Sequence, residues 1–227
     1  QTVYGTTLAT VIGEGGEQIV VGGATSATIT AANAGLTATG GGGAGNAGYA
    51  GNVEIESGGV QTVNGATSGV VVDAGGSQTI GSNGGGVAET IAGQVLVSSG
   101  GYIQESTVQS GGLLTLADGA SADDIRLLSG GMIDLSDIVY GSNVSLSLSS
   151  GFELVVTNDD TTVTIDLDGA YPLDQFALGA DAAGDTLLTV LQDGQRCYGR
   201  ATLIRPPPGQ TPTQDPTTRV RVESPDT

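Results

Sequence analysis

Carboxylates are the plentiful reactive groups of this chain, and three pairs stand close together: Asp123-Asp124, Asp134 with Asp137, and Asp159-Asp160. Two carboxylates about 5–10 Å apart can hydrolyse a glycosidic bond, usually beside aromatic rings that stack the sugar. Here there is no Trp, and residues 1–195 contain one Arg, Arg126, to hold an acidic substrate. The 227 residues include no His. That removes the usual general base, the commonest transition-metal ligand and the Ser–His–Asp arrangement together. The lone Cys197 can form no intramolecular disulfide. These residue types point away from an enzyme, and a carbohydrate-active β-helix (lyase or glycosidase) is the alternative.

The charge is unevenly spread. Residues 1–195 carry one Arg against 21 acids, a net −20, whereas residues 196–227 carry +2 and six of the seven prolines. An acidic body lacks the clustered Lys and Arg that bind phosphate backbones, so no nucleic acid partner is expected. No apolar run reaches the length of a membrane span.

The elements that must position these side chains are written as a repeat. Val53–Val63 reads VEIESGGVQTV, Val70–Ile80 reads VVVDAGGSQTI, and related copies begin at Val11, Val95, Ser106 and Ile125. A last, weaker copy, SLSLSSGFELVV, begins at Ser145. Each is an alternating run, a small polar residue, one or two glycines, then alternation again. Period-two alternation signals strands, and glycine supplies the positive φ of a tight corner. The glycine pairs at Gly58, Gly75, Gly100, Gly111 and Gly130 are 17, 25, 11 and 19 residues apart. Such a unit buries its apolar face only by stacking on its neighbours. The reading is all-β: a parallel β-helix over 1–145, with a loop inserted at about 39–52. An antiparallel β cap follows over 146–195, then a disordered proline-rich tail over 196–227.

In the cap region, FELVVTNDDTTVTIDLDG reads as a hairpin with Asn158–Thr161 as its loop. Phe152, Leu154, Val156, Val163, Ile165 and Leu167 then share one apolar face. On the other face Glu153 stands opposite Asp166, with Asp168 nearby. Like charges directly opposite repel, and Glu153, Asp166 and Asp168 form a candidate Ca²⁺ site. No other cofactor is implied. Asp174–Leu191 gives two more strands around a turn that contains Gly.

The repeats resemble those of AIDA-type autotransporter adhesin passengers. The match covers roughly residues 5–135 and is best at Gly58–Val63, Gly75–Ile80 and Gly85–Ile91. The resemblance implies that the parallel β-helix is right-handed, and that the protein is extracellular or on the outer surface and mediates adhesion or self-association, with cell-surface or matrix glycans as further partners and O-glycosylation of strand Ser and Thr. The chain opens within the repeat at Gln1, and an open solenoid end favours end-to-end or lateral assembly. Cys197, Gly199, Ala201-Thr202, Ile204 and Pro207–Gly209 resemble the start of a Hint (hedgehog/intein-type) self-processing domain. That resemblance makes Cys197 the nucleophile toward the Arg196 carbonyl. Without a histidine to pass a proton to the leaving amine, Cys197 is expected to be a remnant that does not cleave.

Overall fold

A computed structural model describes residues 2–3, 7–12, 17–21, 24–29, 35–39, 49–149, 152–159 and 161–191. Cys197, the Hint-like stretch and the proline-rich tail lie outside the described residues. The described chain is a β-solenoid of stacked parallel strands followed by antiparallel ones. Its one helical feature is a single 3₁₀ turn at Leu173–Gln175.

From Tyr49 onward each coil contributes three strands, whereas earlier Ala24–Ile29 spans the second and third faces as one strand. The first face is built from Val60–Asn64, Ser77–Ile80, Gln94–Val97, Leu113–Leu116 and Met132–Val139, all parallel. Tyr49–Gly51, Ala66–Ser68, Gly85–Val87, Tyr102–Gln104 and Ser121–Asp123 make the second. The third holds Glu54–Ile55, Val71–Val72, Thr90–Ile91, Thr107–Val108 and Arg126–Leu127. Between the second and third faces the five coils from Tyr49 to Leu127 each turn through one residue at positive φ: Asn52, Gly69, Ala88, Glu105 and Asp124.

Register on the first face resolves the uneven glycine spacing. Val60 pairs with Ser77, Ser77 with Gln94, Gln94 with Leu113 and Leu113 with Met132, giving coils of 17, 17, 19 and 19 residues. Two different corners carry glycine pairs. Gly58, Gly75, Gly111 and Gly130 stand at the corner before the first face, whereas Gly100 stands at the corner after it, stacked on Gly119. The 25- and 11-residue gaps come from mixing the two series. At the first corner the leading glycine has φ of 79° to 85°, which L side chains resist. The second glycine is needed for space. A Cβ on Gly76 would lie 2.4 Å from the Ile55 carbonyl oxygen, and one on Gly112 would lie 2.2 Å from that of Ile91.

Inward residues stack in columns. Val63, Ile80, Val97, Leu116 and Leu135 form one, and Ile55, Val72, Ile91, Val108 and Leu127 another, all buried. β-Branched and Leu side chains thus supply the core that a chain with no Trp and two Phe must build. The coil from Gly35 to Val60 is longer than the rest. Its extra residues fall between Thr39 and Tyr49, a narrower insertion than 39–52, because Tyr49–Gly51 is a strand.

The stretch from Ser145 is not a further coil. Val144–Leu148, Glu153–Asn158 and Thr161–Asp166 form a separate antiparallel sheet. No glycine pair stands there to make the solenoid corner, so the two strands fold back on each other. The hairpin register is the expected one, Glu153 opposite Asp166 and Thr157 opposite Thr162, with one further pair, Asn158 and Thr161, closing a shorter loop. Leu154, Val156, Ile165 and Leu167 are buried and Val163 is partly so, but Phe152 is 49% exposed. Phe152 precedes the strand at φ 67°, so it leaves the alternation that would have turned it inward. Phe176–Ala180 and Asp185–Val190 pair antiparallel, and the latter covers the last parallel strand, Met132–Val139. A bridge from Ile125 to Leu167 joins the hairpin to the end of the stack. The backbone N–H of Leu127 also donates to the Tyr171 hydroxyl (3.0 Å).

Candidate functional surface

The same register that stacks the core aligns the outward side chains. On the first face Thr62, Thr79, Leu96, Thr115 and Asp134 form one row. Val71, Thr90, Thr107 and Arg126 form a row on the third face. Neighbours along a row are about 4.8 Å apart, the spacing of adjacent strands. Between the polar positions sit half-exposed apolar groups: Val60 at 42%, Leu96 at 39% and Tyr102 at 39%. Rows of hydroxyls with interspersed apolar side chains can make many weak, repeated contacts and can present acceptor oxygens in series.

The acids gather near the end of the stack. Asp166 faces Glu153 across the hairpin. Its carboxyl is held above the usual range by partial burial first, then by Asp123, Glu153 and Asp124. Asp123 accepts a hydrogen bond from Gln104 Nε2 (3.0 Å). So the Asp123-Asp124 pair and the Glu153–Asp166 pair, far apart in sequence, form one acidic patch. The backbone N–H of Asp168 donates to the Ile125 carbonyl beside this patch (3.0 Å). Among the described residues no three His, Cys, Asp or Glu side chains converge in a way that could hold a metal ion.

A second group surrounds the last parallel strand. Asp134 accepts from the Thr115 hydroxyl (3.2 Å). It is raised by burial first, with Asp181 and Asp185 adding to the shift. Asp137 is raised by partial burial, then by Asp118 and Asp185. Asp181 Oδ1 accepts three backbone N–H groups, from Ala183, Gly184 and Asp185, at 2.7–2.8 Å, so it ties the turn. Asp159 accepts twice from Asn143 Nδ2 (3.1 Å each); its neighbour Asp160 lies outside the described residues.

One acid that sequence reading passed over is buried inside the stack. Glu89 is 1% exposed, in the corner column where other coils place Val53, Val70, Ser106 and Ile125. Aligning the coils by their positive-φ corners would have revealed it, because the residue after each such corner points inward. No helix among the described residues is long and apolar enough to cross a membrane.

No protein-family model matches this chain, and no curated protein matches it either. Among solved structures, the crystal structure of a TibA fragment hyper-glycosylated through TibC catalysis is similar. The two are 28% identical with a TM-score of 0.53, over 59% of this chain and 48% of that one. The chain therefore spans about half the length of that fragment. This likeness and the stacked parallel sheets fit an AIDA-type passenger.

Proposed function

We propose that this chain is an adhesive and structural β-solenoid of the bacterial surface or extracellular space. Its outward rows mediate self-association and contact with surface or matrix glycans, and it has no catalytic role. The observation that carries this reading is the likeness to the TibA fragment at 28% identity. The regular outward rows support it as well. A row of similar, individually weak contacts gains strength by avidity. The net charge of −18 opposes close packing of copies, so association through apolar and hydroxyl rows should strengthen with salt.

The hyper-glycosylation of the TibA fragment supports a second element of the reading: the outward hydroxyls of Thr62, Thr79, Thr90, Thr107 and Thr115 are sugar acceptors. Strand hydroxyls presented in rows are accessible without unfolding, which a folded substrate requires. Co-expression with TibC followed by intact-mass and peptide mapping tests it. Added sugar-sized mass increments on these threonines are expected, and an unmodified mass overturns it. Display of the chain on a non-aggregating bacterium tests adhesion. Faster settling and retention on glycan-coated plates are expected, and settling equal to the undisplayed strain overturns the adhesive reading.

The grouping of Asp134, Asp137, Asp181 and Asp185 favours a carbohydrate-active site as the second reading. Release of reducing ends from acidic or neutral polysaccharides, lost in Asp134→Asn, would establish it in place of the first.

A further inference from the structure

Within the stack lies a polar cluster that none of the surface functions uses. Thr67 Oγ1 donates to Glu89 Oε1 (2.6 Å), and Gln78 Nε2 donates to the same oxygen (3.0 Å) and to Gln61 Oε1 (3.1 Å). The backbone N–H of Glu89 donates to Ser106 Oγ (3.0 Å), which in turn donates to the Gln104 carbonyl (2.7 Å). The space for the carboxyl is built. A Cβ on Gly86 would lie 2.5 Å from Glu89 Oε1, and the coils on either side place Thr67 and Ile103 at the position of Gly86. Glycine at 86 and an acid at 89 thus belong together.

Three buried atoms of this cluster lack partners: Glu89 Oε2, Gln78 Oε1 and Gln61 Nε2. Gln61 Nε2 is a donor, whereas the two oxygens are both acceptors if Glu89 is ionised, and orphaned acceptors in a dry core are costly. Among the described residues no cation compensates. The groups around the carboxyl are Gln61 and Gln78 from the first face, Thr67 and Gly86 from the second, the Ile80 methyl, and Ser106 from the next coil; none is titratable. The one Arg among the described residues, Arg126, stands outward on the third face. Because Oε1 receives two donors, a proton on this acid belongs on Oε2.

We propose that Glu89 is a neutral carboxylic acid whose Oε2–H donates to Gln78 Oε1, closing a reciprocal acid–amide pair that locks adjacent coils of the stack and opens when the proton is lost. One proton satisfies both orphaned oxygens at once, since Oε2 becomes a donor and Gln78 Oε1 accepts it; Gln61 Nε2 is untouched by it. Glu89 is held up to about 7, by burial first, with the Thr67 and Gln78 hydrogen bonds pulling the other way. A carboxyl raised in the folded state keeps its full contribution below the ordinary carboxylate range. It loses that contribution as pH rises through the folded value. The stack is therefore tightest in mild acid and loses this stability as pH rises from the ordinary carboxylate range to about 7.

The test compares thermal midpoints of the wild-type chain and Glu89→Gln from pH 4.5 to 8.5. The amide keeps one donor and one acceptor at the two oxygen positions but cannot ionise. Asp134, Asp137 and Asp166 titrate in both proteins, so the difference between the two curves isolates Glu89. Relative to Glu89→Gln, the wild-type midpoint should fall by roughly 5 °C or more between pH 5 and 8. A pH-independent difference overturns the proposal. Should Glu89→Gln fail to fold, infrared spectra of the wild-type chain with ¹³C-carboxyl glutamate decide the matter. A protonated-acid carbonyl band at pH 6 that disappears reversibly in alkali supports the pair, and carboxylate bands alone at pH 6 overturn it.

Discussion

In the parallel stack, Gly76, Gly93 and Gly112 each lie so close to carbonyl oxygens of the preceding coil that a Cβ would stand 2.2–2.4 Å away. In the antiparallel end, Gly141, Gly169, Gly179 and Gly184 have nothing within 4 Å of that position. The two regions use the same residue for different reasons. Parallel coils turn in register, so corner backbones must lie one on another, and contact selects glycine. Antiparallel strands reverse in open solvent, and glycine there serves the turn alone, as the φ of 106° at Gly169 and 97° at Gly184 indicates. The acids divide likewise. Among the described residues the stack interior takes one carboxyl, Glu89, and hydrogen-bonds it through Oε1, while the antiparallel end lets carboxylates face one another at the surface.

The largest effect should come from the stack's corner. Gly112→Ala drives a Cβ into the Ile91 carbonyl, and neither backbone can give way without shifting two coils. A loss of about 3 kcal/mol or more is expected in urea unfolding. Gly179→Ala, in a strand of the antiparallel end, should stay within about 0.5 kcal/mol of wild type. Equal costs would remove the distinction between the regions. Next in size are truncations of matched core residues. Ile103→Ala in the stack and Leu154→Ala in the hairpin both empty fully buried sites and should cost about 2–5 kcal/mol each. Their reach should differ. Hydrogen exchange should quicken across neighbouring coils for Ile103→Ala, and chiefly over Val144–Asp166 for Leu154→Ala. A smaller effect is due at Gly111, which has open space around it but a φ of 83°. Gly111→Ala should cost about 1–2 kcal/mol from backbone strain alone, less than Gly112→Ala beside it.

How much of this was legible in the sequence follows from the same physics. Alternation around glycine pairs declares strands and corners locally, so the solenoid and the hairpin register could be read from Val53–Ile80 and Glu153–Asp166. Which corner a glycine pair occupies is not local. Gly100-Gly101 and Gly111-Gly112 look alike in sequence, and coil register alone assigns them to different corners. Phe152 was misplaced because alternation cannot announce a left-handed residue just ahead of a strand. SLSLSSGFELVV looked like a coil because parallel and antiparallel strands share the same alternation. The acidic patch was half visible: Glu153 and Asp166 meet within one hairpin, but Asp123 joins them only through the bridge from Ile125 to Leu167.

The smallest predicted effect concerns that patch. Glu153 and Asp166 are directly opposed, and both are exposed enough for water and salt to screen them. Asp166 is raised by partial burial and then by its acidic neighbours. Its folded state therefore favours the proton, and the hairpin should lose stability as pH climbs out of the ordinary carboxylate range. Glu153→Gln removes one opposing charge and should raise stability at pH 7 by about 0.5 kcal/mol. It should also flatten the pH dependence that Asp166 contributes. Cations should act on the wild type in the same direction. Because no three acids converge among the described residues, millimolar Ca²⁺ and NaCl of matched ionic strength should raise the melting temperature equally, and Glu153→Gln should respond less to both. A gain specific to Ca²⁺ that is lost in Asp166→Asn and in Asp168→Asn would instead make Glu153, Asp166 and Asp168 a calcium site. The antiparallel end would then be held by an ion where the stack is held by a proton.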